Sequence, residues 1–340
     1  MPYSSPFLPA LEKRGAVRGA LGDVLLAVHF GDAAKEVEAA RKASAAIDLS
    51  WRAVVEMTGR DRARFLHGMC TNEIKKLAPG QGCLAAVVNR QGKMVADIVA
   101  HATANALLLE TDRANAAALI DHLNRFVVAD DVALKLSDAA VIGLYGPSAG
   151  ALLGMSASPP YQGQMREGGV FVAADPALAA PGFTLIVPAG RDEMGGLLGH
   201  GVSPLGFEAW ERLRVENGFP RWGADMGPDV LPMEAGLEPL AIRYDKGCYI
   251  GQEVIQRVKT YSEPPKTLVQ LAFDGDAPAV GAKIVAGAEE VGHLTSVAPG
   301  LALGYVRKEH KAPGTRVMIG TLSAGVRALP WHARVTNQTV

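Results

Sequence analysis

The alternation of strand-like and helix-like segments in this chain stops at Ser262-Glu263-Pro264-Pro265. Before this point, short apolar runs alternate with helical patterns, and a strand–glycine–helix unit at residues 54–66 is repeated at residues 142–153. After it, short β-like runs follow one another with glycine between them, which is typical of a small all-β barrel. We therefore predict an α+β protein with two related α+β parts and a barrel. The predicted parts are residues 1–138, residues 139–261, and a C-terminal β-barrel over residues 262–340.

Local patterns predict the individual elements. Asn89-Arg90-Gln91-Gly92 separates two β-like runs and is typical of a hairpin turn. An amphipathic helix at residues 207–217 is followed by Gly218 and Pro220, which indicate its end. Residues 1–22 are rich in Pro and Gly, so we expect them to lie extended on the surface. The predicted strands are residues 24–30, 53–57, 82–88, 94–101, 106–110, 132–136, 141–145, 170–173, 183–188, 267–273, 302–306 and 315–319. The other predicted helices are residues 33–46, a helix to Met69 capped by Thr58, a helix to Phe126 capped by Thr111 or Asp112, a helix opening at Pro147, residues 191–198 and residues 254–259.

Composition excludes several classes of protein. The 340 residues suit two or three domains, and the net charge of −1 gives no general attraction for nucleic acid or an anionic membrane. No apolar run approaches the length that spans a bilayer, and residues 1–10 lack the pattern of a secretory signal. We therefore expect a cytoplasmic protein that binds neither membranes nor nucleic acid stably.

The cysteines and histidines indicate no metal centre. Cys70, Cys83 and Cys248 are too few and too far apart for a disulfide framework, and they lack the CxxC spacing of zinc and iron–sulfur sites. The eight histidines form no HExxH motif. We expect neither bound metal nor a disulfide.

The run Asp245-Lys246-Gly247-Cys248-Tyr249-Ile250-Gly251-Gln252-Glu253 brings a lysine, a thiol, a phenol and a carboxylate close together. Its two glycines indicate a turn that enters a helix. Lys246 and the helix N-terminus would favour the thiolate form of Cys248. The residues alone allow another interpretation equally well, a turn with a small buried cysteine.

The segment from Lys246 to Glu253 closely resembles the signature of the YgfZ family, which is related to the glycine-cleavage T-protein (aminomethyltransferase). Further similarity lies in Thr58-Gly59-Arg60-Asp61, in Asn89-Arg90-Gln91-Gly92 with Asp97, and in residues 214–223. The resemblance implies two α+β parts and a barrel around a central folate channel. It also implies binding of tetrahydrofolate, a role in the assembly or repair of iron–sulfur client enzymes, and Cys248 as the working thiol.

The resemblance also assigns residues to the folate site. Glu216 matches the carboxylate that would hold the paired N–H donors of a pterin ring, although helical periodicity alone favours a solvated surface acid. Asp97 matches the acid that would assist one-carbon transfer, but Ala96 replaces the first acid of the family's pair. The remaining assignments are Trp222 as a stacking residue, Arg221 as a partner of the glutamyl tail, Asn72, Tyr249 and Lys246 as channel residues, and Glu234 as a structural or channel-lining residue.

Three functions follow from these observations. The first is a YgfZ-type folate-binding protein that acts on iron–sulfur enzymes through Cys248. The second is a folate-dependent aminomethyl- or methyltransferase, which would need Asp97 and would not need Cys248. The third is a binding module whose channel no longer works. No GxGxxG motif follows a strand, so a dinucleotide enzyme is not supported.

Overall fold

The computed structural model describes residues 2–156 and 158–336. The chain starts with a small three-stranded sheet in the order β1-β3-β2, in which β1 and β3 are parallel. The prediction that residues 1–22 are merely extended is wrong, because Leu8 and Leu11 bury one face of a short helix that has proline in its first turn. The elements are β1 (Tyr3–Ser4), α1 (Leu8–Glu12), β2 (Val17–Leu21) and β3 (Val24–His29).

A five-stranded antiparallel sheet follows, in the order β6-β7-β8-β5-β9. It contains the predicted hairpin, in which β6 and β7 pair around Asn89 to Gly92. Asp112 caps the 3₁₀ turn that leads into α4, since its carboxylate accepts the backbone N–H of Ala114, whereas the N-cap position of α4 itself is Asn115. Thr58 is not the cap of α3, because it is the last residue of β5 and Asp61 precedes the helix. The elements are α2 (Ala33–Lys42), β4 (Ala45–Asp48), β5 (Arg52–Thr58), α3 (Arg62–Met69), β6 (Gly82–Val88), β7 (Met94–Ala102), β8 (Leu107–Asp112), a 3₁₀ turn (Arg113–Asn115), α4 (Ala116–Asn124) and β9 (Ala133–Leu136).

A second, six-stranded sheet has the order β11-β12-β13-β10-β4-β14. Its strand β4 comes from the region predicted as the helix 33–46. That helix ends at Lys42, and Ala45–Asp48 then pairs antiparallel with β10. The predicted boundary at residue 138 therefore does not separate the two sheets. The elements are β10 (Ala140–Tyr145), α5 (Ala149–Leu152), β11 (Gly163–Met165), a 3₁₀ turn (Glu167–Gly169), β12 (Phe171–Ala174), β13 (Gly182–Val187), α6 (Glu193–Gly199) and β14 (Ser203–Pro204).

Three helices and a long loop connect the sheets to the barrel. Helix α7 ends at Gly218, whose φ of +75° is left-handed, as the sequence predicted. Helix α9 starts at Gln252, two residues before the predicted start. The elements are α7 (Phe207–Asn217), α8 (Glu238–Ala241) and α9 (Gln252–Tyr261).

The C-terminal strands form the predicted closed barrel, in the order β15-β18-β17-β16-β19-β20 with β20 pairing back to β15. None of the helices in the described ranges combines the length and the apolarity needed to cross a membrane. The elements are β15 (Lys266–Phe273), β16 (Lys283–Ala286), β17 (Glu289–Ala298), β18 (Leu301–Arg307), a 3₁₀ turn (Lys308–His310), β19 (Arg316–Ile319), β20 (Leu322–Arg327) and α10 (Pro330–Thr336).

A buried ion pair holds the barrel against α7. The side chains of Arg214 and Asp225 are both 0% exposed, and Arg214 Nη1 donates to Asp225 Oδ2 at 2.6 Å. Thr295 and Ser296, both on β17, donate their hydroxyls to Asp225 Oδ1 at 2.6 and 2.7 Å. Tyr305 on β18 donates to the backbone oxygen of Asp225. One carboxylate therefore joins the long loop, α7 and two barrel strands.

Candidate functional site

A cavity lies where the two large sheets meet α7 and the loop that follows it. It encloses about 550 Å³ of empty space including its open mouth. Aromatic side chains supply much of its wall, and three carboxylates and two arginines supply its polar groups. The lining residues are Leu49, Trp51, Arg52, Leu84, Asp97, Val99, Glu110, Tyr145, Tyr161, Asp175, Ala177, Trp210, Phe219, Pro220, Arg221 and Trp222.

Arg52, at the start of β5, organises one polar side of the cavity. Its Nη1 donates to Asp97 Oδ2 at 3.1 Å, and its Nε donates to Glu110 Oε1 at 2.9 Å. Burial acts to lower the pKa of Arg52, but the two carboxylates outweigh it and raise the pKa. Burial raises the pKa of Glu110 against the opposing effect of Arg52. One cation therefore holds two buried acids in place.

Asp97 is the acid with spare hydrogen-bonding capacity. It is 5% exposed, and while Oδ2 accepts from Arg52, Oδ1 is buried without a partner among the described residues. A buried carboxylate oxygen without a donor is costly, so such a group points to a ligand that supplies an N–H or O–H.

Asp175 forms a second carboxylate site on the opposite sheet. Its Oδ2 accepts from the hydroxyl of Tyr145 at 2.5 Å and from Thr184 at 3.2 Å. Burial, and then the nearby Asp175, raise the pKa of Tyr145, so this phenol stays protonated and donates.

Tyr161 forms part of the wall with an unusual backbone. Its φ of +65° is the one left-handed value at a non-glycine residue in the described ranges. Such a conformation is costly for a bulky residue and is often found at functional sites. Burial raises the pKa of its phenol, which stays neutral.

Of the predicted site residues, the structure brings Asp97, Arg221 and Trp222 together at the cavity. Arg221 is not a free cation, because its Nε donates to Glu211 Oε1 at 2.5 Å. Burial acts to raise the pKa of Glu211, but Arg214 and Arg221 outweigh it and lower the pKa. Trp222 is 8% exposed. The roles proposed for these side chains toward folate stay predictions.

Glu216, which we expected to hold the pterin, lies outside the cavity lining. Its Oε2 pairs with Arg41 on α2, and its Oε1 accepts from Arg212 Nε at 3.1 Å. Trp210 lines the cavity, and a residue six positions later on an α-helix is turned about 120° from it. The Glu216 side chain is 20% exposed and pairs with two arginines that lie outside the cavity lining.

Asn72 and Lys246 also lie outside the cavity lining, contrary to expectation. The Asn72 amide is fully used, donating to the backbone oxygens of Leu84 and Leu240 at 2.7 Å each. Lys246 is 7% exposed, and its Nζ donates to the backbone oxygens of His67 and Cys70 at 2.5 and 2.6 Å. Lysine that binds the last carbonyls of a helix is a C-terminal cap, here of α3.

Cys248 and Tyr249 follow Lys246 on the same turn, away from the cavity lining. Cys248 is exposed, whereas Cys70 is buried and Cys83 is half-buried. Burial raises the pKa of both Cys70 and Cys83. The ring of Tyr249 is 8% exposed and lies under Lys246 Nζ, 4.7 Å from the ring centroid. The structure thus offers one accessible thiol in the signature.

Glu234 stabilises the long loop and does not line the cavity. It is 2% exposed, and its Oε2 accepts the backbone N–H of Leu231 at 2.9 Å. Lys93 Nζ lies 3.8 Å from the same oxygen. The carboxylate closes a turn of the long loop and is absent from the cavity lining.

Sequence reasoning missed several cavity residues, chiefly Arg52, Glu110, Tyr145, Tyr161 and Asp175. Glu110 carried the same signal as Asp97, a carboxylate in an otherwise apolar strand. The aromatic and Asp175 positions carried none, because a strand-end tyrosine or loop aspartate is common. In the described ranges, no group of three or more His, Cys, Asp or Glu side chains could hold a metal ion.

Comparison with known proteins gives the family. Residues 7–160 match the GCVT N-terminal domain, and residues 266–334 match the CAF17 C-terminal β-barrel domain. A candidate transferase of Arabidopsis thaliana chloroplasts is 30% identical over 309 residues, which covers 85% of this chain and 71% of the relative. The chain belongs to the GCVT family.

Other relatives of this GCVT-family chain are named as enzymes. The aminomethyltransferase of Streptomyces coelicolor is 26% identical over 85% of each chain, and that of Halalkalibacterium halodurans is 24% identical over 97% of this chain and 98% of its own. The crystal structure of the glycine cleavage system aminomethyltransferase T from Bartonella henselae has a TM-score of 0.90 at 23% identity, covering 97% of this chain and 98% of that one. The fold is therefore that of the T-protein, with a CAF17-type barrel.

Proposed function

We propose that this protein binds tetrahydrofolate in the central cavity and acts, as a YgfZ-type protein, in the assembly or repair of iron–sulfur client enzymes. The observation that carries the folate proposal is the unpartnered Oδ1 of Asp97 inside an aromatic-walled cavity. A pterin has two flat faces and N–H donors on its edge, so it needs this combination of surfaces.

Separate tasks are proposed for the cavity residues. Asp97 would accept a pterin N–H through Oδ1 while Arg52 fixes its other oxygen. Trp222 and Tyr161 offer flat faces, and their burial would exclude water from the ring. Arg221 lies at the cavity with its guanidinium shared by Glu211, which makes a contact with the folate tail a further proposal.

The role in iron–sulfur enzymes rests on the signature and on the exposure of its thiol. Cys248 is the exposed cysteine of the three and stands outside the cavity, so thiol chemistry and folate binding would occur at two places. An exposed free thiol persists in a reducing compartment, which supports the cytoplasm. The partners we propose are therefore a reduced folate and iron–sulfur client or assembly proteins.

A folate-dependent aminomethyltransferase is the second candidate. It is favoured by the position of Asp97 and by the names of the relatives. Ala96, where the family's pair has its first acid, weighs against it. Transfer would depend on Asp97 and would be indifferent to Cys248.

Two measurements separate these candidates. Cells that carry only Cys248→Ser should lose activity of iron–sulfur enzymes, while purified protein given tetrahydrofolate and an aminomethyl donor should yield no new one-carbon folate. Formation of that product, abolished in Asp97→Asn and retained in Cys248→Ser, would establish the transferase instead.

A further inference from the structure

A second pocket, the outer pocket, lies next to the central cavity, between α10 and the loop that joins β12 to β13. Of the described residues, Asp175 alone lines both. The ring of Trp331, in the outer pocket, packs against Phe219 of the central cavity with 5.2 Å between the ring centroids. A water-sized sphere can reach about 220 Å³ of the outer pocket, which leaves room for a small organic molecule.

Arg334 on α10 brings a positive charge without a counter-charge to the wall of the outer pocket. Its side chain is half-buried, and its Nη2 is buried without a hydrogen-bond partner among the residues that the structure describes. Burial lowers its pKa, and no carboxylate in the described part of the chain acts in the opposite direction. Arginine still stays protonated at neutral pH. A partly buried cation without an acid beside it points to an anion that supplies the missing charge.

Trp331 adds a second donor on the same face of α10, since it precedes Arg334 by three positions. The residue is 1% exposed, and its indole Nε1 finds no acceptor within residues 2–156 and 158–336. An indole nitrogen can only donate, and a buried one normally has an acceptor. Two unpartnered donors on one helix face therefore call for a group that carries more than one acceptor oxygen.

The acid in the pocket wall does not meet this need. Asp175 Oδ1 accepts the backbone N–H of Ala177 at 2.9 Å, and Oδ2 accepts the hydroxyls of Tyr145 and Thr184 at 2.5 and 3.2 Å. Both oxygens are therefore committed to holding the loop in place. The acceptor for the two donors of α10 has to come from a ligand.

The rest of the wall decides which anion fits. Pro176, Leu178 and Phe183 give apolar surfaces, which suit a ligand with an apolar body. One guanidinium balances one negative charge, and its planar fork matches the two oxygens of a carboxylate. We propose that the outer pocket binds an organic monocarboxylate with a compact apolar body, whose carboxylate is held by Arg334 and Trp331.

Phenylacetate is a suitable probe, because it joins one aromatic ring to one carboxylate, and phenylacetamide is its neutral counterpart. Titration of the full-length protein, followed by saturation-transfer NMR of the ligand, should show saturable binding of phenylacetate with a Kd on the order of 1 mM. Phenylacetamide should bind at least about tenfold more weakly, since it lacks the charge. Equal binding of the two ligands, or no saturable binding of phenylacetate, would overturn the proposal.

Two variants locate the binding on α10. Arg334→Gln should weaken phenylacetate binding at least about tenfold, because a charge-assisted hydrogen bond is lost. Arg327→Gln is the matched control, since Arg327 is an exposed arginine of β20 outside the outer pocket, and it should keep the wild-type Kd. Trp331→Phe keeps an aromatic ring, removes the N–H and should weaken binding about fivefold, so it tests the site even if Arg334→Gln does not fold. Unchanged affinity in either of these two α10 variants would contradict the assignment.

Tetrahydrofolate distinguishes the outer pocket from the proposed folate site. The phenylacetate titration repeated with saturating tetrahydrofolate should give the same Kd, since Asp175 is the shared residue of the two linings and its oxygens are already occupied. Competition between the two ligands would show that the outer pocket belongs to the folate site and would overturn the proposal. The titration without folate does not depend on folate binding, so the two proposals can fail separately.

Discussion

At the scale of single residues, Asp97 and Lys246 show how the same sequence signal has two different outcomes. Each is a charged side chain that is buried in the folded protein. One carboxylate oxygen of Asp97 has no hydrogen-bond partner among the described residues of the cavity, whereas the ammonium group of Lys246 donates to two backbone oxygens at the end of α3. The sequence predicts that each needs a partner, but only the packing of distant segments decides which partner it finds.

Lys246→Met should lower the free energy of unfolding by about 2–4 kcal/mol. The change keeps most of the apolar stem and leaves the carbonyls of His67 and Cys70 without their donor, and each unsatisfied buried group costs about 1–3 kcal/mol. Urea denaturation measures this directly. Lys259→Met, which removes an exposed pair with Glu238, is the control and should cost less than about 1 kcal/mol. Equal effects of the two variants would show that Lys246 is not a cap.

His101 should make the protein sensitive to acid. It is 1% exposed, and burial lowers its pKa to about 4, below the unfolded value of about 6.5. Between these values the unfolded chain binds a proton that the folded protein does not, so stability falls as pH decreases from 6.5 to 4. The loss from this residue should reach roughly 2–3 kcal/mol at pH 4.5.

The measurement is the free energy of unfolding at pH 7.5 and pH 4.5 for the wild type and for His101→Gln. The variant should lose less stability than the wild type over this interval by the amount stated. Identical losses in both proteins would show that His101 is protonated in the folded state or is not buried.

Glu216 illustrates a residue for which two sequence signals disagreed. The resemblance favoured a pterin partner, whereas the helical period favoured a surface acid. In the structure the carboxylate is 20% exposed and pairs with Arg41 and Arg212, so it is neither a fully solvated acid nor part of the cavity lining. The partner Arg41 lies 175 positions away along the chain, so no local pattern could have indicated it.

At the scale of elements, the turn before α9 depends on a glycine. Gly251 has a φ of +80°, and a Cβ at this position would clash with the backbone oxygen of Asn89 in the β6–β7 hairpin. The sequence correctly indicated a glycine that needs a left-handed conformation here. It could not show that the hairpin lies directly against it.

Gly251→Ala should therefore lower the free energy of unfolding by about 2 kcal/mol or more, through left-handed strain of about 1–2 kcal/mol and the clash with Asn89. Gly247→Ala is the matched control within the same turn, because its φ is not left-handed and its added carbon meets only His67 at 3.5 Å. Thermal unfolding of the two variants gives the comparison. A Gly251→Ala protein as stable as Gly247→Ala would contradict the strained turn.

Elements with strong local signals were predicted well. The hairpin of β6 and β7, helix α7 with its Gly218 end, and the barrel all follow from periodicity and turn residues. The predicted helix over residues 33–46 continued too far, because Ala45 and Ala46 are good helix formers. They form a strand instead, since pairing with β10 on one side and β14 on the other buries them completely. Tertiary pairing of this kind outweighs local propensity.

At the scale of the whole molecule, the parts are joined more closely than the sequence indicated. Strand β4 belongs to the six-stranded sheet, although in the sequence it precedes every strand of the five-stranded sheet. The cavity takes residues from both sheets and from α7. Sequence patterns gave the number and type of layers. They could not give the cavity wall, because its aromatic residues are brought together only by the packing of the halves.

Asp225→Asn should destabilise the whole molecule by about 3–5 kcal/mol. It removes one of the two carboxylates that pair with the fully buried Arg214, the other being Glu211, and weakens the hydrogen bonds from Thr295 and Ser296. Denaturation followed both by a barrel-specific label and by tryptophan fluorescence should show an earlier transition. Glu289→Gln, at an exposed barrel ion pair with Arg307, is the control and should change stability by less than about 1 kcal/mol. A loss of stability no greater than in this control would mean that the Arg214–Asp225 ion pair does not hold the barrel against α7.

The central claim is that Asp97, and not Glu216, receives the folate ring. Calorimetric titration of the wild type, Asp97→Asn and Glu216→Gln with tetrahydrofolate under anaerobic conditions tests it most directly. The wild type should bind, Asp97→Asn should bind at least about tenfold more weakly because a charge-assisted hydrogen bond is lost, and Glu216→Gln should keep the wild-type Kd. Asp97→Asn with unchanged affinity, or a wild type that does not bind tetrahydrofolate, would contradict the account.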